Sequence, residues 1–341
     1  MRLIERVWAG DSAADHVARA ALAPFEGLYR GATAVRGWLY DAGVLSAAAS
    51  PIPVVSVGNL TVGGTGKTPV SAWIAARLAQ QGRSPAIVLR GYGGDEPLVH
   101  SRINPGIPVI VAANRSAGIR EAALTGADIA ILDDAFQHRK ATRDLDIVLI
   151  SADDWTGRRR LLPAGPFREP ISAISRASAV FITRKSASDQ QVESVRKAVL
   201  AKARDVPVAV LRLDLSELVR ATPPAGAMPA GMLAGKRILA IAAVGNPEAF
   251  FSQLRLLEAN VLPMPYPDHH AYTAGDIAAI TRKSAACDYV VCTLKDAVKL
   301  GPVWPASNTP LWYVSLAVQV ESGESAIDAL LMRLRGRIGV N

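Results

Sequence analysis

Residues 53–69 read Pro-Val-Val-Ser-Val-Gly-Asn-Leu-Thr-Val-Gly-Gly-Thr-Gly-Lys-Thr-Pro, and a helical pattern follows over 68–81. A strand-like run, a glycine-rich turn and a helix in that order fix the local fold. The turn leaves backbone N–H groups free to cradle phosphate, and the helix N-terminus adds positive potential at the same point. Lys67 is placed to reach outer phosphates and the Thr68 hydroxyl to sit on Mg²⁺, with Gly63, Gly64, Thr65 and Gly66 forming the cradle. A nucleoside triphosphate with Mg²⁺ is the expected ligand. Thr61 stands where the usual pattern has its first glycine, while glycines 63, 64 and 66 keep the loop open to close backbone approach.

Strand-like runs recur at 86–89, 109–112, 129–132 and 147–150, with helical patterns between several of them. A second alternating series has strands at 179–183, 206–213, 237–243, 289–293 and 312–316. Such alternation predicts an α/β fold with mostly parallel sheets covered on both faces. The 341 residues suffice for two domains. The expected division is an N-terminal helical segment (1–50), a P-loop NTPase-like domain (51–155), an aperiodic linker or substrate loop (156–175) and a second α/β domain (176–341). Asn246-Pro247 is a helix start, and 325–335 is an amphipathic helix with Gly336 as its stop.

Leu22, Phe25, Leu28, Ala32, Val35, Leu39 and Ala42 recur at helical spacing. That stripe fits either a core-facing helix or a membrane-surface helix. Pro24 fits only if it lies in the first turn. Arg36 and Asp41 interrupt the best window for a transmembrane span, and no cleavable leader is expected. Net charge is +8, which favours acidic partners. No recognition helix or stacking module supports nucleic acid. Arg139, Lys140, Arg143, Arg158, Arg159, Arg160 and Arg168 read as either an anion-binding rim or a solvated face. Cys287 and Cys292 fit an inert role in a reducing compartment.

Residues 129–138 end an apolar strand in Asp133-Asp134, the form of a Walker-B element whose carboxylate holds Mg²⁺ opposite Thr68. Gly94-Asp95-Glu96-Pro97 follows the next strand after the P-loop helix, placing both acids at the carboxyl edge of the sheet. An aspartate there suits an acceptor base, though such turns are also common surface features. Asp268-His269-His270 in the second half offers a proton relay or plain loop histidines.

Together these segments resemble the tetraacyldisaccharide 4′-kinase family. The resemblance rests on the P-loop stretch, Arg-Gly-Tyr-Gly at 90–93, Gly-Asp-Glu-Pro at 94–97 and Asp-Asp-Ala-Phe-Gln-His at 133–138. Leu-Pro-Ala-Gly-Pro-Phe-Arg-Glu-Pro at 162–170, Asp268-His269 and Thr-Leu-Lys-Asp-Ala-Val-Lys at 293–299 complete it. It implies two α/β/α domains joined by a β-ribbon, an active site in the cleft, and transfer of the ATP γ-phosphate to the 4′-hydroxyl of a lipid disaccharide 1-phosphate. It implies Asp95 paired with His269 as the activating couple. Lys67 joins them as the group acting on the phosphates. Glu96 joins Thr68, Asp133 and Asp134 as a candidate Mg²⁺ ligand. Arg115, His138, Arg168 and Glu169 are candidate substrate contacts. It also implies an N-terminal helix at the cytoplasmic face of the bacterial inner membrane; a monomer is expected. Ala135 replaces the family's glycine, and the loop before Asp95 is short. A partitioning-type ATPase is the alternative, although Val62 occupies the place of the extra lysine those proteins carry. A non-enzymatic basic module on anionic membranes would leave the P-loop and Asp133-Asp134 unexplained.

Overall fold

The structure is a computed structural model and describes residues 3–91 and 94–334. In chain order its main elements are α1 (Leu3–Ala9), α2 (Ala13–Asp41), β1 (Val54–Asn59), α3 (Lys67–Gln80), β2 (Pro85–Leu89), α4 (Glu96–Ile103), β3 (Val109–Val111) and α5 (Arg115–Leu124). Then come β4 (Ile129–Asp133), β5 (Leu145–Ser151), β6 (Ala179–Arg184), α6 (Asp189–Leu200), β7 (Val208–Arg220), β8 (Ala227–Pro229) and β9 (Arg237–Ala242). The chain ends with α7 (Pro247–Leu256), β10 (Asn260–Pro265), α8 (Ala274–Ser284), β11 (Tyr289–Cys292), α9 (Leu294–Leu300), β12 (Leu311–Ser322) and α10 (Glu324–Arg333). Tyr92, Gly93 and the expected helix stop at Gly336 lie outside the described residues.

Two compact α/β units form. The first takes Met1–Arg90, Gly106–Arg212 and Val320–Asn341; the second takes Gly91–Pro105 and Leu213–Gln319. These borders differ from the expected ones at three places, one being the C-terminal stretch from Val320, which packs with the first unit. Residues 176–212 pack with the first unit, and the segment holding Asp95 packs with the second.

In the first unit the strand order is β3-β2-β4-β1-β5-β6-β7, and the pairings are parallel. Strands β1, β2, β4 and β5 are buried along their whole length, which explains their unbroken apolar runs. The register sets Val57 opposite Asp133, so the P-loop and the Walker-B acids leave the same edge. Gly58 makes this approach possible. A Cβ there would lie 2.6 Å from both the Cβ and the backbone N of Phe136.

The second unit has β10-β9-β11-β12 in parallel order, with β8 antiparallel to β7. Strands β8 and β10 are additional to the sequence expectation. The two prolines of β10, Pro263 and Pro265, mask it as a strand and are tolerated because it lies at the sheet edge. Asn246 caps α7 as expected, accepting the Ala249 N–H at 3.2 Å.

The N-terminal stripe does not face the core. Phe25, Leu28 and Trp38 of α2 are 59%, 73% and 63% exposed, while Asp15, Arg19 and Glu26 are its buried residues. Glu26 accepts the Leu161 N–H at 2.9 Å and pairs with Arg160 at 3.3 Å, and the Tyr29 hydroxyl donates to the Arg168 carbonyl at 3.0 Å. Pro24 sits inside α2, about three turns in, rather than in the first turn. The polar anchors on both sides of it hold the helix where proline alone would break it.

Residues 156–175 are no free linker. Leu161, Phe167 and Ile171 belong to a buried cluster with Leu60 and Phe136, and Thr61 bridges to Phe167. The Val62 N–H donates to the Pro166 carbonyl at 2.8 Å, so this segment braces the P-loop. The anion-rim reading loses most of its side chains to internal pairs: Arg139 with Asp41, Arg143 with Asp146, Arg158 with Asp11 and Arg160 with Glu26.

Gly58→Ala is expected to cost about 1–3 kcal/mol, the penalty of forcing a methyl into a filled site. Urea unfolding measures it, and an unchanged midpoint would refute the close-packing account of this strand.

Candidate active site

The site residues fall into two constellations, one in each unit. In the first, β1 ends at Asn59 and the chain turns through Gly63 (φ +125°) and Gly66 (φ +83°) before α3 starts at Lys67. Both glycines hold left-handed backbone that a side chain would strain. Gly64 has open space where a Cβ would stand. The first turn of α3 carries no acidic residue and no side-chain cap, which leaves its positive end for an anion. Thr65 is pinned from both sides: its hydroxyl accepts from Asn59 Nδ2 at 2.9 Å, and its carbonyl accepts from the Thr183 hydroxyl at 2.9 Å.

The Thr68 hydroxyl lies 3.3 Å from Asp133 Oδ2, and the Ser71 hydroxyl donates to Asp133 Oδ1 at 3.1 Å. Adjacent ligands of an octahedral Mg²⁺ stand about 3 Å apart, so Thr68 and Asp133 fit one ion. Asp134 is differently placed. Its carboxylate meets Lys67 Nζ at 3.9 Å and Arg168 at 3.1 Å, so two cations already claim it. Its φ of 51° is the left-handed one in this turn, and Ala135 beside it is fully buried without positive φ. The alanine that stands in place of the family's glycine therefore carries no left-handed strain. Glu96 opens α4 in the second unit and is half-buried.

Of the candidate substrate contacts, Arg115 is buried and donates to the carbonyls of Ala112 and Asp133, each at 3.1 Å. Arg168 reaches Asn59 Oδ1 and the Thr61 carbonyl, and Glu169 pairs with Arg176 at 2.8 Å. These side chains hold the loop framework. Asn59, Ser71 and Thr183 were missed as supports. Asn59 and Ser71 stand in or beside the P-loop motif, whereas Thr183 gave no local signal.

In the second unit Asp95 occupies the N-cap position of α4 but makes no cap hydrogen bond. Its carboxylate, 2% exposed, turns to His269 Nδ1, which stands 3.2 Å from both oxygens. Lys299 Nζ lies 3.5 Å from Asp95 Oδ2. The His269 side chain is 38% exposed, with Nε2 3.8 Å from Asp268. A buried carboxylate against a ring that reaches solvent is the arrangement of an acid–base pair. His269 holds φ 59°, with its N–H on the Ala243 carbonyl at 3.3 Å. A non-glycine residue held there stores strain, which clusters at functional sites. His270 instead meets Asp276 at 3.1 Å and stacks on Tyr266.

His138 is half-buried. Burial first, then the charges of Arg115, Arg143, Arg36 and Arg90, lowers its imidazole from 6.5 to about 4. The unfolded chain therefore takes up this proton first as pH falls. The group's stabilising contribution is complete above about pH 6.5 and is lost down to about 4. His138→Gln is expected to flatten that part of the stability curve. Urea midpoints across pH 4–7 test this, and an unchanged slope would refute it.

The family model for tetraacyldisaccharide-1-P 4′-kinase, LpxK, matches residues 18–95 and 93–335. A tetraacyldisaccharide 4′-kinase of Anaeromyxobacter dehalogenans (strain 2CP-C) is 39% identical over 92% of this chain and 90% of its own length. That of Halorhodospira halophila is 36% identical over 94% of this chain and 95% of its own. The crystal structure of LpxK from Aquifex aeolicus in complex with ATP superposes with a TM-score of 0.74 at 28% identity, over 93% of this chain and 99% of that one. By its fold, its motifs and these relatives, the chain belongs to the tetraacyldisaccharide 4′-kinase family.

Proposed function

We propose that the protein transfers the γ-phosphate of ATP to the 4′-hydroxyl of a tetraacylated glucosamine disaccharide 1-phosphate, giving lipid IVA. The observation that carries the acceptor chemistry is the buried Asp95 carboxylate held against His269 Nδ1. Asp95 orients the sugar hydroxyl and takes its proton, which the Asp95–His269 pair then shares. The hydroxyl oxygen bonds to the γ-phosphorus, the bond from that phosphorus to the β,γ-bridging oxygen breaks, and ADP leaves with the bond's electrons. Lys67 and the loop amides stabilise the charge on the transferring group. Mg²⁺, when bound, neutralises phosphate charge, and Thr68 and Asp133 are the residues that would hold it. Asp134 keeps Lys67 and Arg168 in place. A partitioning-type ATPase is not favoured, since Val62 stands at the position of that group's extra lysine.

The exposed face of α2 supports a place at the inner-membrane surface on its cytoplasmic side. Val17, Phe25, Leu28, Val35 and Trp38 are exposed on the side opposite Asp15, Arg19 and Glu26. A helix that turns Asp15, Arg19 and Glu26 inward, keeps Arg30 and Arg36 at the surface and shows water its aromatics suits the headgroup–acyl boundary. Among the described residues no helix is long and apolar enough to cross a membrane.

Two assays test these readings. With ATP and the lipid disaccharide 1-phosphate, Asp95→Ala and His269→Ala are expected to lose at least about 100-fold in turnover, the scale of acid–base catalysis. Wild-type rates in both would sink the assignment. Replacing Phe25, Leu28 and Trp38 by Glu is expected to release the protein from anionic vesicles in co-sedimentation. Undiminished binding would rule out α2 as the membrane contact.

A further inference from the structure

The 293–299 stretch closes around the acceptor couple from behind. Thr293 caps α9, and its hydroxyl donates to Asp296 Oδ2 at 2.6 Å. Asp296 is fully buried and also accepts from the Tyr272 hydroxyl at 2.7 Å and from the Ala243 N–H at 3.2 Å. The Ala243 carbonyl in turn holds the His269 N–H. Asp296 thus fixes the turn that carries His269. One helical step of three residues further, on the same face of α9, comes Lys299. Its Nζ is buried and without a hydrogen-bond partner. It stands 3.5 Å from Asp95 Oδ2 and 5.8 Å from the ring centre of Tyr272.

Two buried carboxylates stand near the Lys299 ammonium, Asp95 at 3.5 Å and Asp296 through its charge, with Asp268 near the outer ring nitrogen of His269 and Glu96 next along α4. A buried carboxylate without a countercharge is unfavourable. His269 offers a positive charge only when protonated. An ammonium offers one throughout the physiological range. Resting on the kinase reading above, we propose that Lys299 is a positioning residue for phosphoryl transfer, its ammonium holding the Asp95 carboxylate aimed from one side while His269 holds it from the other. The separation of 3.5 Å is looser than a charged hydrogen bond, and such contacts tighten when substrate binds.

The test uses the full chain with ATP and the tetraacyldisaccharide 1-phosphate, and reads kcat and KM separately. Lys299→Met is expected to lower kcat about 100-fold near pH 7. Both KM values should stay within about twofold, the pattern of a lost transition-state effect. Lys299→Arg keeps the charge and should retain most of the rate. Lys299→Gln, with ATP affinity and the melting curve as controls, serves if the Met variant folds poorly. Wild-type kcat in Lys299→Met overturns the proposal, as does an equal loss in Lys299→Arg. Asp95→Ala separates the two readings: if it is inactive while Lys299→Met is not, only the role of Lys299 fails. If Asp95→Ala turns over normally, the kinase assignment of the couple fails first.

Discussion

Parallel pairing of β1 between β4 and β5 is the constraint on which the first unit depends. Parallel strands send all their carboxyl ends to one edge. A phosphate loop leaving β1 and a carboxylate leaving β4 therefore meet without any long-range design. The register that sets Val57 beside Asp133 needs close approach of β1 to the Phe136 turn, and Gly58 supplies it. The 156–175 segment then fixes the loop from the other side through Pro166, Phe167 and Arg168.

The polar groups around both constellations are buried in partnered sets. Asp133 takes hydroxyl donors from Thr68 and Ser71, while Arg115 holds its carbonyl. Asp296 takes three different donors and passes order on to His269 through Ala243. Low local polarity makes each of these contacts stronger than it would be in water and makes a missing partner expensive. Left-handed backbone at Asp134 and at His269 is sustained in both places by such contacts.

How much of this the sequence revealed follows the range of each interaction. The P-loop, the Asp133 strand end and the Asn246 cap were legible because they are local patterns of a few residues. The direction of the α2 stripe was not, since periodicity shows that a face is apolar and says nothing of what it meets. Strand β10 was hidden by prolines that only an edge position permits. The 156–175 segment lacked periodicity because single bridges and arginine-to-carbonyl bonds hold it, and these have no repeat. The contact of Lys299 with Asp95 joins distant parts of the chain and left no local trace. Family resemblance raised Asp95 and His269 above ordinary loop residues, and composition alone would not have done so.

The connectivity of Asp95 bears on any attempt to divide this protein. Its segment, Gly91–Pro105, belongs to the second unit yet is flanked in sequence by first-unit chain on both sides. A truncated chain ending after β6 would thus keep Asp95 while deleting His269 and Lys299. Exchanging residues 213–319 for those of a relative would match a foreign histidine and lysine with the native aspartate. A workable chimaera has to move both pieces together, and the two spans should drift through evolution as one inherited block.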